Sequence, residues 1–578
     1  MQNLYELQIQ LENKYSKRLA TSRIYDLIDS TDTLVLTQLG MTEEVAAALL
    51  LAVLENSKNK PIQGLIARLA SLLCVEPEEV IKKDYLMVGA KSGIYTIIQS
   101  NEGSLYIKNN IFLPHAQEQE LAQTTVLPPL LVEPKSWTSN NNGGYYTIKH
   151  SALLGSKNHH DGEICLPVLN KLQSVGFKLD RYITDTFKDV TSYDKKKVKD
   201  VVDDIGDRKF YFMWQYDKRG RMYSKGYELN LQSSEYHKAT LNFAKAEVCT
   251  EEGLEEIVMW IANTAGYDKL SWTDRLAKGY ELVASKVSVV DGEVTIDLDD
   301  IAEPILFTKA VMAYLDALDG MPIGLPVMWD CTASGLQILA ALTGCETTAA
   351  KVNLIDTGKR EDVYSYVVNL MNSELSATDA VDRNKAKKPF MTHWYNSVAT
   401  PKKAFNENQL KAFYKAISKG FTGPSELLEA IPSIWKDTAE HRWTMPDGFE
   451  VVLRHSYNET LMVTLEDDVT FEYTKSVLGA SGSYTHLMAN LTHSFDAMVA
   501  RELIRRCPFE VVHIHDSFVC HPNNAKKMRG IFKDIMIDLA KKDYLSSILS
   551  QISGEDIKIE KLCDDLDVKM QSAKYILS

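Results

Sequence analysis

This chain of 578 residues has no long hydrophobic run, no paired-cysteine motif and no surplus of positive charge. Its longest apolar stretch, VAAALLLAVL at residues 45–54, is about half the ~20 residues that a membrane-spanning helix needs. No membrane segment is expected. The polar start MQNLYELQIQLENKY lacks the apolar core of a secretory signal, so export is not expected either. Eight cysteines are scattered without a CxxC spacing, which suits the reduced thiols of a cytoplasmic protein better than a disulfide framework. His513, His515, Cys520 and His521 lie close in sequence, but no second ligand pair at metal spacing accompanies them, which argues against zinc. The net charge of −14 excludes a generally basic nucleic-acid coat and leaves room for a local basic channel. There is no internal repeat and no low-complexity tract.

What remains is ordinary globular composition, 45% hydrophobic and 25% charged, over a length that allows several subdomains. Residues 1 to about 120 read as mainly helical, with amphipathic stretches at Leu4 to Leu19, Glu43 to Leu54 and Ile62 to Leu73. Prolines and glycines between Leu127 and Tyr145 forbid regular helix and mark a boundary. Leu166 to Phe187 and the charged Lys195 to Ile205 suggest two helices, Phe210 to Trp214 a strand. Helices are expected at Glu407 to Ser418 and Ser483 to Arg506, with strand-rich sequence at Val451 to Tyr473.

Several stretches carry chemistry. Phe509 to His521 alternates as a half-buried hairpin should and places Asp516 near its bend. Leu325-Pro-Val-Met-Trp-Asp330-Cys331 reads as a short apolar strand ending on a carboxylate, with a helix starting near Ser334. Two such carboxylates and a backbone carbonyl are hard oxygen ligands, the kind Mg²⁺ accepts beside water and substrate phosphates. In Arg383-Asn-Lys-Ala-Lys387, continuing to Tyr395, spacings of four and eight align two cations and a phenol along one helix face, a stripe suited to a triphosphate and its sugar. Pro389 is expected to kink or restart that helix. Lys218, Arg219 and Arg221 concentrate positive charge around Gly220, and Lys269 sits in a polar turn.

Taken in order, these stretches resemble the single-subunit DNA-directed RNA polymerases of bacteriophages and mitochondria. Asp330-Cys-Thr-Ala-Ser-Gly-Leu-Gln resembles the family's first carboxylate motif, Arg383-x3-Lys387-x7-Tyr395 its fingers helix, and His515-Asp516-Ser517 its second carboxylate motif. Asp217-x-Arg-Gly-Arg221, Ala265-Gly-x-Asp-Lys269, Pro446-Asp-Gly-Phe449 and His493-Ser-x-Asp496 add supporting matches, and the resemblance runs from about Leu127 to the end of the chain.

The resemblance implies an α+β, predominantly helical right-hand fold of palm, fingers and thumb. Its expected division is a reduced helical N-terminal domain at 1–126, connector and thumb helices at 127–207, a first palm part at 208–345, fingers and a shortened hairpin segment at 346–492, and a second palm part with the tail at 493–578. It further implies two Mg²⁺ ions held by Asp330, Asp516 and the Cys331 carbonyl, with Arg383, Lys387 and Lys269 on the incoming triphosphate and Lys387 as a proton donor to pyrophosphate. Tyr364 would lie beside the nucleotide, Tyr395 and His493 would sense the ribose 2′-hydroxyl, and Arg221 would lie near the template. The implied partners are a DNA template, the RNA product and nucleoside triphosphates, for a phage-encoded enzyme in a bacterial cytoplasm.

Departures from the family pattern are equally legible. Asn396 and Cys331 stand where glycines are usual, the sequence before Leu127 is short, the tail Tyr575-Ile-Leu-Ser578 lacks the family's aromatic end, and Leu465-Glu-Asp-Asp-Val469 puts acid where a promoter-reading hairpin is expected. They suggest weak recognition of duplex promoters, and hence a need for single-stranded template or an accessory protein. The alternatives are a primase-like maker of short RNAs, a related DNA polymerase, which Ser517 in place of an acidic residue disfavours, and a non-catalytic nucleic-acid-binding relic.

Overall fold

The computed structural model describes residues 3–15, 30–54, 60–100, 104–111, 127–155, 160–187, 199, 201–226, 229–464, 470–480 and 484–578. The fold is α+β, with helices interleaved among small antiparallel sheets. The chain divides into two compact units. One comprises Met1–Gln8, Pro129–Arg454 and Ser481–Ser578; the other comprises Ile9–Pro128 and His455–Ala480.

The smaller unit is built on helices. Glu43–Leu54 is apolar nearly all round and buried, as an interior helix must be. Ile62–Leu73 buries Ile62, Leu65, Ile66, Leu69 and Ala70, a stripe at helical spacing. Both match the expected segments. The first expected helix is present over Leu4–Tyr15, and residues 16–19 of that stretch lie outside the described residues. A three-stranded sheet, not anticipated from sequence, sets Leu105–Asn109 between Lys60–Pro61 and Tyr95–Gln99. The long hairpin Ser456–Thr464/Thr470–Leu478 belongs to this unit too. Its period-two alternation buries Val463, Phe471 and Tyr473 in the same core as Leu49, Leu65 and Leu69. The acidic Leu465 to Val469 connection lies outside the described residues.

In the larger unit a three-stranded antiparallel sheet sets Ser517–Cys520 between Val327–Asp330 and Val511–Ile514. Helices Ser334–Thr343, Leu487–Arg506 and Ala525–Lys541 pack together beside it. The first is buried throughout and stops at Gly344, whose φ of 62° supplies the left-handed cap. Trp329 is fully buried, with Trp260 and Trp272 edge-on to it.

One expected helix is corrected. Leu166 to Phe187 is a helix at Leu166–Gln173, a strand at Gly176–Leu179 and a second helix at Arg181–Thr186. Alternating burial of Phe177 and Leu179 suits the strand, and the Asp180 side chain caps the new helix by accepting from the Ile183 N–H. Of the expected helix Lys195 to Ile205, residues 199 and 201–205 are helical, and residues 195–198 and 200 lie outside the described residues. Among the described residues, no helix is long and apolar enough to cross a membrane.

Candidate active site

The register of the central sheet sets Asp330 opposite Ser517 and Trp329 opposite Phe518. Because strand side chains alternate, burial of Val327 and Trp329 leaves Met328 and Asp330 on the open face. The neighbouring hairpin turns through only His515 and Asp516, with His515 at a left-handed φ of 57°. That tight turn holds Asp516 against the end of the first strand. The Cys331 N–H donates to the Asp516 carbonyl at 3.2 Å, and the Ser517 hydroxyl donates to Asp330 Oδ1. Burial pushes the Asp330 carboxyl up, the Ser517 hydroxyl pulls it back, and the Asp516 charge adds to the rise.

Both aspartates open onto a cavity of about 570 Å³ whose lining also includes Lys269, Cys331, Tyr364, Arg383 and Lys387. Residues expected at the site from positions as far apart as 269 and 516 therefore converge. Arg383 lies in the helix Arg383–His393, which Asp382 caps by accepting from the Lys385 N–H. Its guanidinium forms an ion pair with Asp362, with Nε at 2.6 Å, and sits 5.2 Å above the Tyr364 ring. The Lys387 ammonium lies 5.7 Å from the same ring. Burial pushes the Asp362 carboxyl up, but the Arg383 and Ser365 bonds bring it below its ordinary range. Arg383 is thus already partly neutralised, whereas Lys269 and Lys387 form no ion pair among the described residues.

Tyr395 requires a second correction. It does not continue the helix face of Arg383 and Lys387, because the helix closes before it. The Asn396 N–H donates to the His393 carbonyl and the Ser397 N–H to the Thr392 carbonyl, a Schellman pattern with Asn396 at φ 62°. Asparagine is the residue that tolerates this conformation best after glycine, which accounts for Asn396 where a glycine is usual. Pro389 lies inside the helix without restarting it. The turn delivers Tyr395 to Gly335, where an added Cβ would come within 2.8 Å of the phenol oxygen, and to His493, with ring centroids 4.8 Å apart.

Tyr395, His493 and Arg221 do not line the cavity with the aspartates; they form an adjoining cluster. Arg221 donates to Asp496 Oδ2 from Nε at 3.0 Å and Nη2 at 2.7 Å. Arg219 donates to Asp217 Oδ2 from Nε at 3.0 Å and Nη2 at 2.6 Å, and its Nη1 lies 2.9 Å from Nδ1 of His493. The basic cluster read from sequence is therefore largely occupied by protein carboxylates. Burial raises the Tyr395 phenol to about 12, helped by the Asp496 charge, so it keeps its proton. Burial, then Arg221, Arg219 and His515, lower His493 to about 3, so its ring is neutral.

Sequence reasoning gives no site role to Lys238, Glu303, Arg360 or Asp362, all in the cavity lining, whereas Asp268, also there, falls in the motif Ala265-Gly-x-Asp-Lys269. Asp362 is within its reach, because it lies two residues before Tyr364 and caps the helix Val363–Asn372. Nothing in the spacing of Lys238, Glu303 and Arg360 marks them. Burial pushes the Glu303 carboxyl up, Lys238 opposes this, and Glu235 and Asp330 reinforce it.

The donor set fits Mg²⁺. Asp330 and Asp516 face one cavity, and among the described residues no group of three His, Cys, Asp or Glu side chains could hold a metal alone. A cation held by two carboxylates must complete its shell with water and phosphate oxygens, as Mg²⁺ characteristically does. Burial, followed by the charges of Asp516 and Asp496, holds the Cys331 thiol far above its ordinary range, so its side chain is no thiolate ligand.

A family model for DNA-dependent RNA polymerase matches residues 247–433 and 426–576. A probable DNA-directed RNA polymerase of Gelasinospora sp. (strain G114) is 24% identical over 545 residues, covering 77% of this chain and 65% of that protein. The DNA-directed RNA polymerase of Pseudomonas phage phiKMV is 26% identical over 382 residues, 55% of this chain and 46% of its own. DNA-directed RNA polymerase 1, mitochondrial, of Arabidopsis thaliana is 26% identical over 431 residues, 62% and 43% respectively. The chain thus spans less than two thirds of each of these relatives.

Proposed function

Because the chain belongs to the DNA-dependent RNA polymerase family, we propose that it transfers ribonucleoside monophosphates from nucleoside triphosphates to an RNA 3′-hydroxyl under direction of a DNA template. The observation that carries this reading is the cavity in which Asp330 and Asp516 face Lys269, Arg383 and Lys387. Carboxylates and cations gathered around one cavity are what a site needs to handle a triphosphate without a covalent nucleophile.

Asp330, Asp516 and the Cys331 carbonyl would hold two Mg²⁺ ions, which when bound supply Lewis-acid activation of the 3′-hydroxyl and charge neutralisation at the leaving pyrophosphate. The Ser517 hydroxyl orients the Asp330 carboxylate. Lys269, Lys387 and the partly paired Arg383 draw in the triphosphate, and Lys387 protonates the leaving pyrophosphate. Tyr364 buttresses both Arg383 and Lys387 through its ring face. Tyr395 keeps its phenolic proton and, with His493, offers hydrogen-bonding groups to the ribose 2′-hydroxyl, while Arg221 fixes the floor of that cluster through Asp496.

The sheet with its buried helices is assigned to the palm and the segment around Arg383–His393 to the fingers. A phage-encoded enzyme of the bacterial cytoplasm is supported by the likeness to the phiKMV polymerase, alongside fungal and plant organellar relatives. Incubating the pure protein with single-stranded and duplex DNA, Mg²⁺ and ribo- or deoxyribonucleoside triphosphates, then sizing the products, tests the whole reading. Long, template-copied RNA is expected. Absence of any templated product defeats it, and products confined to short primers would favour the primase-like alternative.

A further inference from the structure

Arg219 bonds to neither Asp330 nor Asp516 and does not line their cavity, yet its geometry dictates the chemistry of a neighbour. The loop carrying it is unusually constrained. Asp217 Oδ1 accepts from the Arg219 and Arg221 N–H groups at 2.8 and 3.1 Å, and Oδ2 holds the Arg219 guanidinium. Gly220, at φ 84°, presents its carbonyl to Arg501 Nη1 at 2.9 Å. An added Cβ there would collide with that nitrogen, so the loop accepts only glycine at this position. With two of its nitrogens held by Asp217, Arg219 has its Nη1 aimed at His493 Nδ1, 2.9 Å away.

A guanidinium donates and never accepts. The ring nitrogen facing it must therefore be the unprotonated acceptor, and a neutral imidazole then carries its one proton on Nε2. We propose that Arg219 is a specificity-determining positioning residue, which fixes His493 in the Nε2–H tautomer so that the ring meets the sugar of the nucleotide as a donor only. This rests on the reading of His493 as a sugar-sensing residue.

The groups facing the imidazole reinforce the arrangement. Arg221, itself paired with Asp496, and Arg219 oppose a positive ring, as does His515, while the Tyr395 ring packs on its face. A donor at Nε2 is satisfied by the lone pairs of a 2′-hydroxyl and by nothing at the 2′ position of a deoxyribose. If the ring flipped to the other tautomer, Nε2 would be an acceptor, and the hydroxyl would have to divide its single proton between this nitrogen and its other partners.

Two measurements on the full chain decide the matter. The first is the ratio of kcat/KM for a ribonucleotide over its deoxyribonucleotide, read as single additions to an RNA primer annealed to single-stranded DNA. Arg219→Gln is expected to lower that ratio on the order of tenfold, because an amide can donate or accept and so no longer dictates the tautomer. The loss should vanish in a His493→Ala background, since Arg219 acts through the ring. In wild type the ratio should be flat between about pH 6 and 8. In Arg219→Gln it should stay low over the same range, because burial and Arg221 still keep the ring neutral while leaving it free to take either tautomer. A loss that adds fully to that of His493→Ala overturns the proposal by showing a merely structural role.

The second measurement is independent of activity. Long-range ¹H–¹⁵N spectra of histidine-labelled protein, with His493 assigned by its loss in His493→Ala, should show an unprotonated Nδ1 and a protonated Nε2. A protonated Nδ1 in wild type overturns the tautomer assignment. If the wild-type protein extends no primer, the polymerase reading fails, and the spectra still decide whether Arg219 sets the imidazole.

Discussion

Asp330 and Ser517, the neighbour of Asp516, are 187 positions apart in sequence and meet because their strands pair at those two residues. Substituting Asp516→Asn preserves the hairpin but removes a charge that the proposed Mg²⁺ site needs. Primer extension should be abolished, while binding to primed template, measured by fluorescence anisotropy, should persist; retained extension would remove Asp516 from the metal site. Tyr395→Phe tests a single hydroxyl. Its phenol is raised to about 12 and stays protonated at neutral pH. Losing that donor should narrow the preference for ribonucleotides over deoxyribonucleotides by about 1–3 kcal/mol, roughly 5- to 150-fold in kcat/KM. An unchanged ratio would exclude Tyr395 from sugar sensing. At this scale the sequence is legible where a residue's role depends on its immediate neighbours, as for Asp330 at a strand end. It is mute where the role depends on a distant partner. Arg219 and His493 are in contact across 274 positions, and no spacing rule connects them.

Elements differ in legibility for related reasons. Glu43–Leu54 and Ile62–Leu73 are readable because each carries a sustained helical pattern over 12 residues. The stretch Leu166 to Phe187 reads as one helix because its helices have 8 and 6 residues and its strand only 4, too short for periodicity to separate them. The end of the Arg383–His393 helix escapes the sequence pattern because the left-handed Asn396 that terminates it looks, in sequence, like any polar residue. That position gives a stability test. Asn396→Gly should leave the urea midpoint unchanged or slightly raised, and Asn396→Val should cost about 1–2 kcal/mol, because a β-branched residue resists positive φ. Equal midpoints for both would dismiss the Schellman assignment.

A buried ion pair ties together three segments of the larger unit. Arg501, in Leu487–Arg506, donates to Asp447 from Nε at 2.5 Å and from Nη2 at 2.9 Å, and to the Gly220 carbonyl. Their side chains are 1% and 3% exposed, so Arg501→Met should cost about 3–5 kcal/mol by stranding a buried carboxylate. Burial pushes the Asp447 carboxyl up, but the Arg501 charge and bonds outweigh this and hold it below its ordinary range. With the folded-state value depressed, the pair's contribution is present above the unfolded value of about 3.9 and is lost as pH falls through the folded one. The midpoint difference between wild type and Arg501→Met, measured by urea titration, should therefore shrink below about pH 4. A difference that grows in acid would contradict the assigned ionisation.

For the whole molecule the proposed function raises the question of what kind of template the chain would open. With a net charge of −14, a DNA template would have to be held locally against an unfavourable overall field. The two strands of the hairpin Ser456–Leu478 are joined by a segment containing Glu466, Asp467 and Asp468. Three consecutive acids in the sequence between those strands would repel DNA phosphates, and each lost phosphate contact also removes counterion release as a driving force. We therefore expect initiation on single-stranded DNA to exceed that on linear duplex of the same sequence when no other protein is added. If the acidic segment is the cause, replacing the three acids by Asn, Gln or Ser should raise duplex-dependent synthesis and leave synthesis on single strands unaltered. The gain should be largest at low ionic strength, where the repulsion is least screened. Efficient, site-specific initiation by the wild-type chain on purified linear duplex would show that the acidic segment does not limit promoter opening.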